Sequence, residues 1–110
     1  MTHSYAWLIL IVAGILEIIW AVSMKASDGF TRWHFTALTI AAAWSSFLLL
    51  GISLKALPVG TAYAAWTGIG AVGTAILGMA IFHEPATFAR LGFIALIVGG
   101  ILGLKFTSSH

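Results

Sequence analysis

Four apolar runs, from Tyr5 to Met24, Phe35 to Leu54, Thr61 to Phe82 and Phe88 to Phe106, take up almost the whole of this chain. Each is about the twenty residues that a helix needs to cross the hydrocarbon core of a bilayer. The connections run from Lys25 to His34 with the turn signal Asp28-Gly29, from Lys55 to Gly60 with Pro58, and from His83 to Thr87 with Pro85. They are short enough to force successive spans to run antiparallel. The expected architecture is an all-α membrane protein, a single four-helix transmembrane domain over residues 1–110 with spans at 5–24, 35–54, 61–82 and 88–106.

Composition agrees with a bilayer as solvent. Hydrophobic residues make up 61% of the chain and charged residues 7%, against about 25% charged in an ordinary soluble domain. Water around the outer faces would demand more charge than that, whereas lipid removes the demand. The first run has no basic segment before it and contains Glu17, so it is expected to be a retained span rather than a cleaved leader. The spans leave no space for a nucleotide-binding unit, which excludes ATP hydrolysis; any transport must be powered by an ion gradient or run downhill. No enzymatic activity and no cofactor are implied. The five basic residues stand singly, so no nucleic-acid surface is expected. The absence of cysteine removes disulfides and thiolate metal sites.

Sorting the basic residues by side of the membrane places Lys25, Arg32 and Arg90 at one face and Lys55 and Lys105 at the other. Orientation follows a clear excess of Lys and Arg on the cytoplasmic side, and three against two is hardly an excess. The chain is therefore expected to insert in both orientations. In the fourth span Ala95, Gly99 and Gly103 recur at steps of four and form a strip of small residues that lets another helix approach closely. Four thin helices can hardly enclose a polar substrate alone, so at least a dimer is expected, with this strip as one interface.

Of three acidic residues, Asp28 and Glu84 fall in connections, where a solvated role is the default. Glu17 differs. It lies eight residues before Lys25 and twelve after Tyr5, about 12 Å and 18 Å along a helix, too far from either surface for a glutamate to reach. An ionisable group at that depth is costly and marks a functional site. Gly14, Ala13 and Ala21 leave space on its helix face and Trp20 offers an aromatic wall, an arrangement suited to a cation. Burial disfavours an ionised carboxylate, so a proton competes with a cation for it. A site that holds one or the other, opening alternately to each side, couples the two fluxes in opposite directions.

Further polar or aromatic candidates are Ser45 and Ser46 in the second span and Tyr63 and Trp66 in the third, although a serine in a membrane helix commonly bonds its own backbone. Trp7 and Trp33 fall near the expected membrane surfaces, as anchors of an aromatic belt do. Gly68-Ile69-Gly70-Ala71-Val72-Gly73 matches a dinucleotide-binding pattern, but no strand precedes it; flexibility of the third span is the better reading. His83-Glu84 opens like a zinc-protease motif, but position 87 is Thr, so no metal site is expected.

In span number, loop length and the lone glutamate of the first span, the whole chain resembles the small multidrug resistance transporters. Two segments, Ala13-Gly14-Ile15-Leu16-Glu17-Ile18-Ile19-Trp20 and the longer stretch from Lys55-Ala56-Leu57-Pro58 through Tyr63-Ala64-Ala65-Trp66-Thr67-Gly68-Ile69-Gly70, are similar to the guanidinium exporter subtype. The resemblance implies an antiparallel, dual-topology homodimer in the cell (inner) membrane that exchanges protons for guanidinium. Glu17 would bind substrate and proton, Gly14, Trp20 and Trp66 would line the pocket, and Ser46 and Tyr63 would orient the carboxylate by hydrogen bonds. Guanidinium is planar, permanently charged, able to place two N–H groups on one carboxylate, and able to stack on tryptophan. Phe35 departs from the many relatives with proline there, which bears on the start of the second helix and not on the site. The competing readings are an exporter of hydrophobic or quaternary ammonium cations on the same fold, and a non-transporting accessory subunit.

Overall fold

The computed structural model describes residues 2–107. It contains the helices α1 (His3–Ala26), α2 (Trp33–Ser53), α3 (Val59–Ile81) and α4 (Phe88–Thr107). With 24, 21, 23 and 20 residues they are about 30 to 36 Å long, enough to cross a hydrocarbon core of about 30 Å. All four are long and apolar enough to cross a membrane.

Several helices outlast the apolar runs, because hydropathy marks the edge of the hydrocarbon while a helix stops where its backbone is capped. The Thr2 side chain accepts from Tyr5 N at 3.1 Å and starts α1 before Tyr5. The second helix starts at Trp33 rather than Phe35, with Thr36 N already donating to Arg32 O at 3.0 Å. Thr87 Oγ1 accepts from Arg90 N at 3.1 Å and starts α4. Between α1 and α2 the buried Ser27 hydroxyl donates to Met24 O at 2.6 Å and accepts from Phe30 N at 3.0 Å, which ties the turn through Asp28, Gly29 and Phe30 to the end of α1. All three turn residues have positive φ, the conformation Gly29 adopts without strain.

Packing is centred on α1, which contacts both α2 and α3, while α4 packs mainly on α3. The α1 and α3 helices run in the same direction, their N-terminal halves sharing a core of Ala6, Trp7, Leu10, Ala13, Ala62, Ala65 and Trp66, with Leu57 at its end. Half of these are alanines, whereas Leu48, Phe93 and Leu96 point outward, roughly two-thirds exposed. This inversion belongs to lipid, where helix contacts rest on close approach rather than on escape from water. Three glycines make the approach possible: a Cβ on Gly14 would come within 2.6 Å of Ile69, one on Gly68 within 2.7 Å of Ile101, and one on Gly73 would overlap Ile18. The glycine-rich stretch of α3 is therefore a packing surface inside one unbroken helix.

Trp7 corrects another expectation. Its position near a helix end suggested a belt anchor, yet it is 3% exposed, with Nε1 donating to His3 Nε2 at 3.2 Å and Lys105 Nζ 5.8 Å above its ring. The face it presents is set by α3, which a single span cannot reveal. Trp33 is 71% exposed and stacks on His34. The four helices form a slab with extents of 43 × 34 × 16 Å. On α4 no residue is buried among those described, and Ala95, Gly99 and Gly103 all lie exposed.

Candidate functional site at mid-membrane

The Glu17 carboxylate leaves the middle of α1 toward α3 and occupies the space beside Gly70, where a Cβ would overlap it. Only glycine admits it there. Oε1 is buried and has no hydrogen-bond partner among the described residues; the same holds for Nε1 of Trp20, one turn further along α1. An acceptor and a donor are thus both withheld from lipid and uncommitted within the chain, where an unmet buried polar group usually costs about 1–3 kcal/mol.

Across from them, α2 contributes Ser46, which is fully buried. Its hydroxyl donates to Ala13 O at 2.7 Å and accepts from Trp66 Nε1 at 2.9 Å, joining α1, α2 and α3 through one oxygen. The resemblance implied a bond from Ser46 to Glu17, but the Ser46 proton is directed to the backbone instead. The link to Glu17 is indirect: in α-helix geometry the carbonyl of Ala13 is the one that accepts the Glu17 N–H. Ser45, by contrast, bonds back to Ala41 O of its own helix at 2.9 Å and takes no part.

Aromatic rings line this junction in sequence. Trp20 and Phe47 have ring centroids 6.3 Å apart, Phe47 and Trp66 5.6 Å, and Trp66 and Tyr63 5.5 Å. Tyr63 is more than half exposed and meets the network through its ring, with no hydrogen bond to Glu17 among the described residues. The chain thus brings Trp20, Ser46, Tyr63 and Trp66 into one connected set, which reaches the turn of α1 that carries Glu17 through Trp20 and the Ala13 carbonyl. Gly14 is buried against Ile69 and serves helix packing within this chain, while Ala95, Gly99 and Gly103 stand apart on the outer helix.

Two participants escaped the sequence reading. Phe47 connects the two tryptophans, but a phenylalanine in an apolar span carries no signal of its own. Gly70 belonged to a pattern set aside as flexible; its spacing from the glutamate is visible only once α1 and α3 are known to run side by side.

Four membrane-crossing helices with a carboxylate held at mid-span define a multi-pass integral protein of the cell membrane, of the transporter class. A profile described as Small Multidrug Resistance protein matches residues 5–97. The chain belongs to the small multidrug resistance family. A protein of Proteus vulgaris named guanidinium exporter is 54% identical over 103 residues, spanning 94% of this chain and 99% of its own length. The guanidinium exporter of Yersinia pseudotuberculosis serotype I (strain IP32953) is 52% identical over the same shares, and that of Escherichia coli (strain K12) is 50% identical over 94% of this chain and 98% of its own.

Proposed function

We propose that this protein is a proton-coupled antiporter that exports guanidinium and small substituted guanidinium cations, with Glu17 holding either the cation or a proton. One observation carries the reading: a single buried carboxylate oxygen without a partner, in mid-membrane, beside a row of aromatic rings. A flat cation with N–H groups answers both features, donating to the oxygen and stacking on a ring. The names of relatives at 50–54% identity agree in substrate. Trp20, Ser46, Tyr63 and Trp66 are assigned to the pocket on this reading, Ser46 by holding Trp66 and the Ala13 turn in place, and Gly14 to the α1–α3 packing that seats Glu17.

The working unit is an antiparallel homodimer of dual topology, embedded in membrane lipid. A slab 16 Å thick has little depth in which to surround a substrate, and a second copy closes the open side. The outer strip of Ala95, Gly99 and Gly103 supports this, because all three are exposed and, among the described residues, no neighbouring element comes within 4 Å of a Cβ at Gly99 or Gly103. Three basic residues at one end against two at the other favour insertion in both orientations.

A second reading, tolerance of alkylated cations, is favoured by an apolar cleft of about 320 Å³ among Ile18, Ile69, Val72, Gly73, Val98 and Ile101. An alkyl tail fits such a cleft while the charged head stays with Glu17. The test is guanidinium uptake into proteoliposomes driven by an imposed pH gradient, with tetramethylammonium run alongside. Uptake of guanidinium and not of the tetraalkyl cation supports the proposal; uptake of the tetraalkyl cation alone moves the chain to the multidrug subtype, and silence with both favours an accessory role.

A further inference from the structure

A cavity of about 330 Å³ lies between α1 and α3 toward their C-terminal ends, with Ala21, Lys25, Thr74, Gly78, Glu84 and Arg90 in its walls. Glu17, Ala21 and Lys25 recur every fourth residue on α1, and Gly70, Thr74 and Gly78 do so on α3, so each set shares one helix face. Glu17 sits over Gly70, one turn before Ala21 and Thr74, so the cavity lies on the same α1–α3 seam, between the level of Glu17 and the turn that joins α3 to α4. From Gly70 to Gly78 the helix advances about 12 Å.

At the outer end of this cavity the arrangement around Glu17 is repeated. A Cβ on Gly78 would overlap the carboxylate of Glu84, just as one on Gly70 would overlap that of Glu17. Glu84 is brought back over the helix because His83 adopts a left-handed φ of 58°, and Gly78 O accepts both Phe82 N at 3.0 Å and Glu84 N at 3.2 Å. Its Oε1 accepts from Arg90 Nη2 at 2.7 Å. Arg90 ends in a guanidinium, so this carboxylate already holds the chemical group of the proposed substrate.

We propose that Glu84 is an outer guanidinium-binding site at the mouth of the path to Glu17, and that Arg90 is a tethered occupant displaced by an incoming guanidinium ion. The inference rests on the guanidinium reading above. The Arg90 and Glu84 side chains are 32% and 42% exposed, so the pair is open to exchange, and exposed pairs are weak enough to be replaced at little cost. Arg90 makes one hydrogen bond to the carboxylate, whereas a free guanidinium can make two. Glu84 also answers an electrostatic need: without it, the only charged side chains lining this cavity would be the positive Lys25 and Arg90.

The test compares initial rates of guanidinium uptake by the full-length protein in proteoliposomes, at subsaturating substrate, for Glu84→Gln and Arg90→Gln. The two substitutions break the same ion pair, yet the proposal gives them opposite signs. Glu84→Gln lowers the rate about threefold, on the scale of an exposed charge contact, and Arg90→Gln raises it by a similar factor. A merely structural pair predicts equal losses, and that result, or unchanged rates in both, overturns the proposal. If Glu84→Gln fails to give a monodisperse protein in detergent, the sign for Arg90→Gln decides: an increase supports the proposal, and a decrease or no change overturns it. Absence of uptake by the unaltered protein would overturn the guanidinium reading itself, and this inference with it.

Discussion

The carboxylate of Glu17 on α1 occupies the place where a side chain on Gly70 of α3 would stand. A charge-bearing group in mid-membrane is thereby seated against bare backbone. Neighbouring side chains can give way by rotation, but a Cβ at position 70 has no such freedom.

Gly70→Ala is therefore expected to push the carboxylate out of its seat. Overpacking of this kind costs about 1–3 kcal/mol, roughly a fivefold to hundredfold loss of guanidinium affinity if it falls on the bound geometry. Titration calorimetry in detergent checks this, with Gly51→Ala as a control because nothing lies within 4 Å of a Cβ there.

Ser46→Ala removes the one oxygen shared by Trp66 Nε1 and Ala13 O. Leaving the buried indole N–H without an acceptor costs about 1–3 kcal/mol, so the unfolding midpoint in detergent should fall and Trp66 emission should shift. A variant as stable as the parent, with unchanged emission, would show that the bridge contributes nothing.

Guanidinium binding should weaken as pH falls. The cation needs the ionised carboxylate and a proton neutralises it, so acid removes the partner, whereas alkaline pH leaves affinity level once Glu17 is fully ionised. On the acid side the apparent Kd should rise toward about tenfold per pH unit if a single carboxylate is responsible. Calorimetric titrations across a pH series give the slope.

Replacing Gly99 and Gly103 together by leucine should leave the single-chain fold intact, since among the described residues no other element lies within 4 Å of a Cβ at either position. The dimer should be lost, because bulk on a small-residue strip holds two helices apart. Native mass spectrometry from detergent reports the change, and an undiminished dimer would place the interface elsewhere.

The helices were legible because hydrocarbon thickness imposes a length that four runs in this sequence meet, and Glu17 was legible because no other charge lies so deep. What stayed hidden depends on which faces meet. Ser45 and Ser46 are neighbours of the same type, yet one bonds its own helix and the other joins three, a difference of rotation about α2 that residue type does not encode. Trp7 looked like a surface anchor until α3 covered it. Glu84 was legible as an exposed charge in a connection, but its return over Gly78 was not, because that depends on the left-handed backbone of His83, a residue type with no strong preference for that conformation.

The central claim is that proton and cation exclude each other at Glu17. The most direct measurement is proton release on adding guanidinium to the purified protein in weakly buffered detergent, for the parent chain and Glu17→Gln. The account predicts acidification of the medium by the parent as substrate binds, and neither binding nor release by the variant. Guanidinium binding by the parent without proton release, or undiminished binding by Glu17→Gln, would contradict it.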